Sequence, residues 1–137
     1  MFEWLRSNRL NRLEALLLDS LIGKLPREAA DLLRLQISDI NKIQRIVRGT
    51  EVDFFAMKRG RVAWEESHLF PCRQERKLAT ATVFSHEVQL RLKAELWIVD
   101  GHIFSIQFGA EPEVWAGSEP LEVEDLQVLV DPMSVDC

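Results

Sequence analysis

Phe2, Leu5, Leu10, Leu13, Leu17 and Leu21 recur at spacings near three and four, with one shift between Leu5 and Leu10. That is the helical period, and it predicts a helix over residues 3–22 that Gly23 can end in a left-handed conformation. Leu25-Pro26-Arg27-Glu28 then reads as a new helix start. Proline costs nothing where no N–H is needed, and Glu28 suits the positive end of the helix dipole. Ala29, Leu33, Ile37, Ile40, Ile43 and Val47 continue at helical spacing to Arg48-Gly49, which predicts a second helix over 26–47. A short turn joins the two, so they are expected to pack as a helical hairpin spanning 3–47.

After Gly49 the period changes to two. Residues 51–57 read as a strand, Lys58-Arg59-Gly60 as its turn and 61–65 as a short return strand. The stretch 66–76, with Pro71 and several charges, reads as a loop. Leu78 to Ser85 is rich in β-formers, and Leu90 to Val99 and His102 to Phe108 alternate clearly, giving an antiparallel sheet over 51–108.

Asp100-Gly101 marks the turn between the last two strands, and its length decides which side chains share a face. A two-residue loop would pair Trp97 with Phe104 and mix Arg91, Lys93 and Glu95 with Phe104, Ile106 and Phe108. A three-residue loop with Gly101 left-handed pairs Ile98 with His102. It gathers Leu90, Leu92, Ala94, Leu96 and Ile98 with Phe104, Ile106 and Phe108, so it is the expected register. It leaves Trp97 and Ile103 adjacent on the polar face, where they form a candidate partner surface. Residues 109–120 read as a loop that docks Trp115. Leu121 to Val130 reads as an edge strand that caps its own sheet, since its acidic residues would repel a second copy.

Composition changes this picture little. The chain has 137 residues, 47% hydrophobic and 28% charged, which fits one globular domain over 1–137. The net charge is −5, with all eight ionisable acidic side chains after residue 110 unopposed by any Lys or Arg. That balance makes nucleic acid an unexpected partner. No window approaches ~20 uninterrupted apolar residues, so no membrane span is expected, and the expected location is cytoplasmic.

Little of the sequence carries recognisable chemistry. Cys72 and Cys137 are the only cysteines and suggest no disulfide framework or metal box. His68 could approach Cys72 in the 66–76 loop, but no third group is evident to orient it. Glu65-Glu66 beside His68 reads as a solvated loop rather than a metal site. His86 and Glu87 are strand neighbours and point apart. His102 sits at the hairpin end. Neither a Gly-rich phosphate loop nor a serine elbow is present. No catalytic, cofactor-binding or metal residue is assigned.

The expected fold is α+β, with two N-terminal helices packed on one face of an antiparallel sheet of four to six strands. The expected role is a small soluble non-catalytic binding or interaction module, engaging a protein partner or associating weakly with itself, with no cofactor. The alternative is a curled sheet with a ligand pocket or active site at its mouth, its cavity lined by Phe54, Phe84, Phe104 and Phe108. The discriminating observation is whether His68, His86 or His102 meets a carboxylate inside a pocket.

Overall fold

The structure, a computed structural model, describes residues 9–137. Helix α1 (Arg12–Lys24) starts at a capping box. Asn11 Oδ1 accepts the Glu14 N–H at 2.8 Å, and the Glu14 carboxylate accepts the Asn11 N–H at 2.9 Å. The part of the expected first helix before residue 9 lies outside the described residues. Helix α2 (Arg27–Asp39) follows Pro26, as the sequence predicts, but it ends eight residues early.

The remainder of the expected second helix is a strand, β1 (Lys42–Ile46), paired antiparallel with β2 (Glu51–Phe55). Ile43 fits a helical stripe drawn from Ile37 and Ile40, but it also alternates with Lys42 and Gln44. It is buried opposite Phe54. Asn41 breaks the helix: its side chain accepts the Met57 N–H at 2.8 Å and donates to the Met57 carbonyl at 2.9 Å. Val47 is exposed with φ 52°, in the turn after β1 and not on any helix. Arg45 reaches from β1 to the buried Glu14 of α1 with two hydrogen bonds of 2.7 and 2.9 Å, tying the edge strand to the helix.

The short pair β3 (Met57–Lys58) and β4 (Arg61–Val62) forms a separate two-stranded sheet, followed by a single 3₁₀ turn over Glu66–His68. Then come β5 (Arg76–Ser85), β6 (Leu90–Val99), β7 (His102–Phe108), a one-turn helix α3 (Glu113–Ala116) and β8 (Leu121–Val128). The main sheet is antiparallel with six strands in the order β1-β2-β7-β6-β5-β8. With the two N-terminal helices on one face, this is an α+β fold. Leu13, Leu17, Leu21 and Leu33 of the helices share one buried cluster with Val52, Phe54, Leu92, Leu96, Ile98 and Ile106 of the sheet.

The β6–β7 hairpin differs from the expected register at its tip. The loop has two residues, Asp100 and Gly101, both with positive φ, and Val99 pairs with His102. Ile98 pairs with Ile103, and the register then shifts by one so that Trp97 faces Ser105, Leu96 faces Ile106 and Ala94 faces Phe108. Phe104 is the extra residue of this bulge and is only half-buried. Beyond the bulge, Ala94 and Leu96 share the core face with Ile106 and Phe108, the grouping the sequence predicts. At the tip, Gln36 of α2 fixes the difference. Its side chain, fully buried, accepts the Ile103 N–H at 2.8 Å and donates to the carbonyls of Gly101 (3.0 Å) and His68 (2.8 Å).

The chain's end is tied back in two places. Trp115 is buried and its indole N–H donates to the Leu90 carbonyl at 3.0 Å, the docking its loop suggests. β8 caps the sheet on β5. Beyond it, Cys137 forms a disulfide with Cys72 across 65 residues, contrary to the expectation of two unrelated cysteines. Residues so distant in sequence leave no spacing pattern to read.

Candidate functional site

The expected patch of Trp97 and Ile103 is not assembled. Ile103 is fully buried on the core face opposite Ile98, because the bulge turns it inward. Trp97 stays on the face turned away from the helices, half-buried. Its indole N–H donates to Glu95 at 3.3 Å, and the Lys77 ammonium lies 5.7 Å from its ring centroid and 2.9 Å from the Glu95 carboxylate.

The strand registers set this face out in rows. One row runs Gln44, Asp53, Ser105, Trp97, Lys77 from β1 to β5. The next runs Ile46, Glu51, Gln107, Glu95, Thr80. Farther along, Thr80, Thr82, Lys93, Glu95, Asp125 and Gln127 line a shallow depression of about 330 Å³. Two ion pairs lie on this face: Lys77 with Glu95, and Arg91 with Glu124 at 2.8 Å.

Lys93 and Asp125 have no ion-pair partner among the described residues, and neither do Glu51 and Asp53: no Lys, Arg or His nitrogen there lies within 4.0 Å of the Glu51 or Asp53 carboxylate. Burial raises the Glu51 carboxyl above its ordinary range, and the hydrogen bond to Asp53 and the Asp53 charge add to the rise. Asp53 is 7% exposed and its cross-strand neighbour Ser105 is 0% exposed. Asp53 Oδ1 and Ser105 Oγ have no hydrogen-bond partner among the described residues. Buried polar groups without partners cost free energy, and such costs concentrate at functional sites.

A second feature is a cleft of about 220 Å³ lined by Asp39, Asn41, Lys58, Glu65, Ser67 and His68. Asp39 at the end of α2 holds His68 Nδ1 at 2.6 Å, so a carboxylate does orient one histidine inside a pocket. Sequence gives no sign of that pair, whose members stand 29 residues apart. The cleft does not assemble a nucleophile: Ser67 Oγ donates to Glu65 at 3.4 Å, and Cys72 is buried in its disulfide. Glu65 and Glu66 face Lys58 and Arg73. Among the described residues, no cluster of three metal-ligating side chains occurs.

The other histidines are placed differently. His86 meets Glu122 at 2.9 Å on the exposed β5–β8 edge. His102 stacks on Trp64 with ring centroids 4.2 Å apart and donates from Nδ1 to the Ile103 carbonyl, 2.9 Å away, since a carbonyl only accepts. Burial lowers its pKa, against the smaller opposing effects of that hydrogen bond and of Asp100. The four phenylalanines of the alternative cavity do not line one space. Phe54 and Phe108 are in the packed core, whereas Phe84 lies on the opposite face beneath the Arg91 guanidinium, 4.6 Å away.

No known family matches this chain, and no curated protein or solved structure resembles it significantly.

Proposed function

We propose that the chain is a non-catalytic binding module that recognises a protein partner through the sheet face turned away from the helices, centred on Trp97. The observation that carries this reading is the Asp53–Ser105 pair, buried beside Trp97 with side-chain oxygens that the described residues leave unpaired. The helices already occupy the other face. An aromatic ring amid matched ion pairs and unmatched carboxylates suits a specific polar interface. With a net charge of −5, the surface does not favour nucleic acid.

A second reading follows from the carboxylate-held His68. The Asp39–His68 cleft could bind a small polar ligand or serve acid–base chemistry, with Nε2 as the working atom. At about 220 Å³ it is smaller than the usual range for drug-sized ligands, and no nucleophile is positioned in it. It therefore ranks second.

Among the described residues, no helix is long and apolar enough to cross a membrane. The Cys72–Cys137 disulfide supports an oxidising compartment over the cytoplasm that the sequence suggests, since reducing cytosol rarely preserves such bonds.

The test compares affinity capture from the native host by wild type, Trp97→Ala, Thr82→Arg and the helix-side control Arg34→Glu. The reading expects one partner that wild type and Arg34→Glu retain and both sheet-face variants lose. A partner lost only by Arg34→Glu would overturn it.

A further inference from the structure

We infer that Glu51 and Asp53, with Ser105 and Gln107 beside them, form a subsite for a guanidinium group, and that an arginine side chain of the protein partner occupies it. This rests on the sheet-face reading above and names the chemistry of its partner.

Two independent observations meet here. The first is a pair of carboxyl groups two residues apart on one face of β2, with no cation within ion-pair distance among the described residues. On the same face Lys77 pairs with Glu95 and Arg91 with Glu124, whereas no cation reaches this pair. The second is Ser105 on the neighbouring strand, fully buried and directly opposite Asp53, with an unpartnered Oγ. Gln107, opposite Glu51, adds an amide oxygen that can accept. The four side chains form one acceptor-rich square on β2 and β7.

The geometry selects among cations. Only two of the four groups are carboxylates, and among the described residues no three His, Cys, Asp or Glu side chains gather to hold a metal ion. An ammonium is a compact, strongly hydrated point charge with three donors. A guanidinium is planar, less hydrated and carries five donors in a fork, which can span two carboxylates and a hydroxyl. Its flat face can also lie against an indole, and Trp97 is the next residue along the Asp53–Ser105 row. An acidic chain with a net charge of −5 would also attract an arginine-bearing surface at a distance.

The experiment titrates the protein with N-acetyl-arginine amide and follows the Trp97 indole and the amides of residues 51–53 and 105–107 by NMR. N-acetyl-lysine amide and N-acetyl-citrulline amide serve as controls. The expected result is saturable binding of the arginine probe with a dissociation constant on the order of millimolar. Binding should weaken at least about tenfold in the double variant Glu51→Gln, Asp53→Asn and about tenfold at raised salt. Equal response to lysine or citrulline, an unchanged affinity in the double variant, or no response would overturn the subsite. Capture from the host separates this from the broader reading. A partner lost by Trp97→Ala but kept by the double variant would refute the guanidinium subsite and leave the sheet face standing. A partner kept by both would refute both.

Discussion

Ser105 stands directly opposite Asp53 across the β2–β7 pair, and each is buried with a side-chain oxygen that no described residue satisfies. A buried hydroxyl without a partner costs about 1–3 kcal/mol, and alanine removes it while keeping the Cβ. Ser105→Ala is therefore expected to stabilise the fold by about 1 kcal/mol in urea unfolding, while weakening binding. A loss of stability instead would show that the hydroxyl is satisfied in the folded protein and is structural.

Gly101 holds the hairpin tip. Its φ is +88°, and a Cβ there would lie 2.8 Å from the Phe70 carbonyl oxygen. Phe70 N–H donates to the Gly101 carbonyl at 2.7 Å, so the two backbones cannot simply move apart. Gly101→Val combines left-handed strain with this clash and is expected to cost about 3 kcal/mol or more. An unchanged melting temperature would contradict the tip as described.

The Cys72–Cys137 bond closes a loop of 65 residues and pins the segment after β8. Cys72 N–H also donates to the Pro132 carbonyl at 3.1 Å, and Arg76 Nε to the Cys137 carbonyl at 2.9 Å. From loop entropy alone, Cys137→Ser should destabilise the oxidised protein by roughly 4 kcal/mol. A reducing agent should lower the wild-type melting temperature toward that of the variant and leave the variant unmoved. Thiol labelling of protein freshly taken from the host then reports on its compartment: protection supports an oxidising one, and two labelled thiols support the cytoplasm.

Two groups set opposite pH dependences. Folding lowers the His102 pKa from 6.5, so the unfolded chain takes up its proton first as pH falls. Its contribution is fully present above about pH 6.5 and is lost as pH drops from there through the lower folded value. Folding raises the Glu51 pKa from 4.5, so below that value it makes no demand, and stability falls as pH rises through the interval up to the folded value. Urea unfolding across pH should show the loss on lowering pH below about 6.5 disappear in His102→Gln and the loss on raising pH above about 4.5 disappear in Glu51→Gln. Parallel curves for wild type and both variants would contradict these assignments.

The sheet's faces were readable beyond the bulge because alternation in Leu90 to Leu96 and in Ile106 to Phe108 leaves one consistent grouping. The hairpin tip was not readable, because Gln36 decides it from a helix some 65 residues away in sequence. A glutamine on a helix gives no sign that it will be buried and will bond a hairpin. The end of α2 was hidden for a different reason: Ile37, Ile40 and Ile43 satisfy the helical period by coincidence, while Ile43 belongs to the sheet. The candidate sites were even less visible. Glu51 and Asp53 read as the polar side of an alternating strand, and only the register that brings in Ser105 and Trp97 makes them unusual.

The central claim, recognition through the sheet face bearing Trp97, is tested most directly by site-specific photo-crosslinking in the native host. A photoreactive residue placed at Lys93 on that face should yield a discrete adduct with one protein, and the same residue at Arg34 on α2 should yield none. A discrete adduct from Arg34 with none from Lys93 would place the partner on the helices and contradict the account.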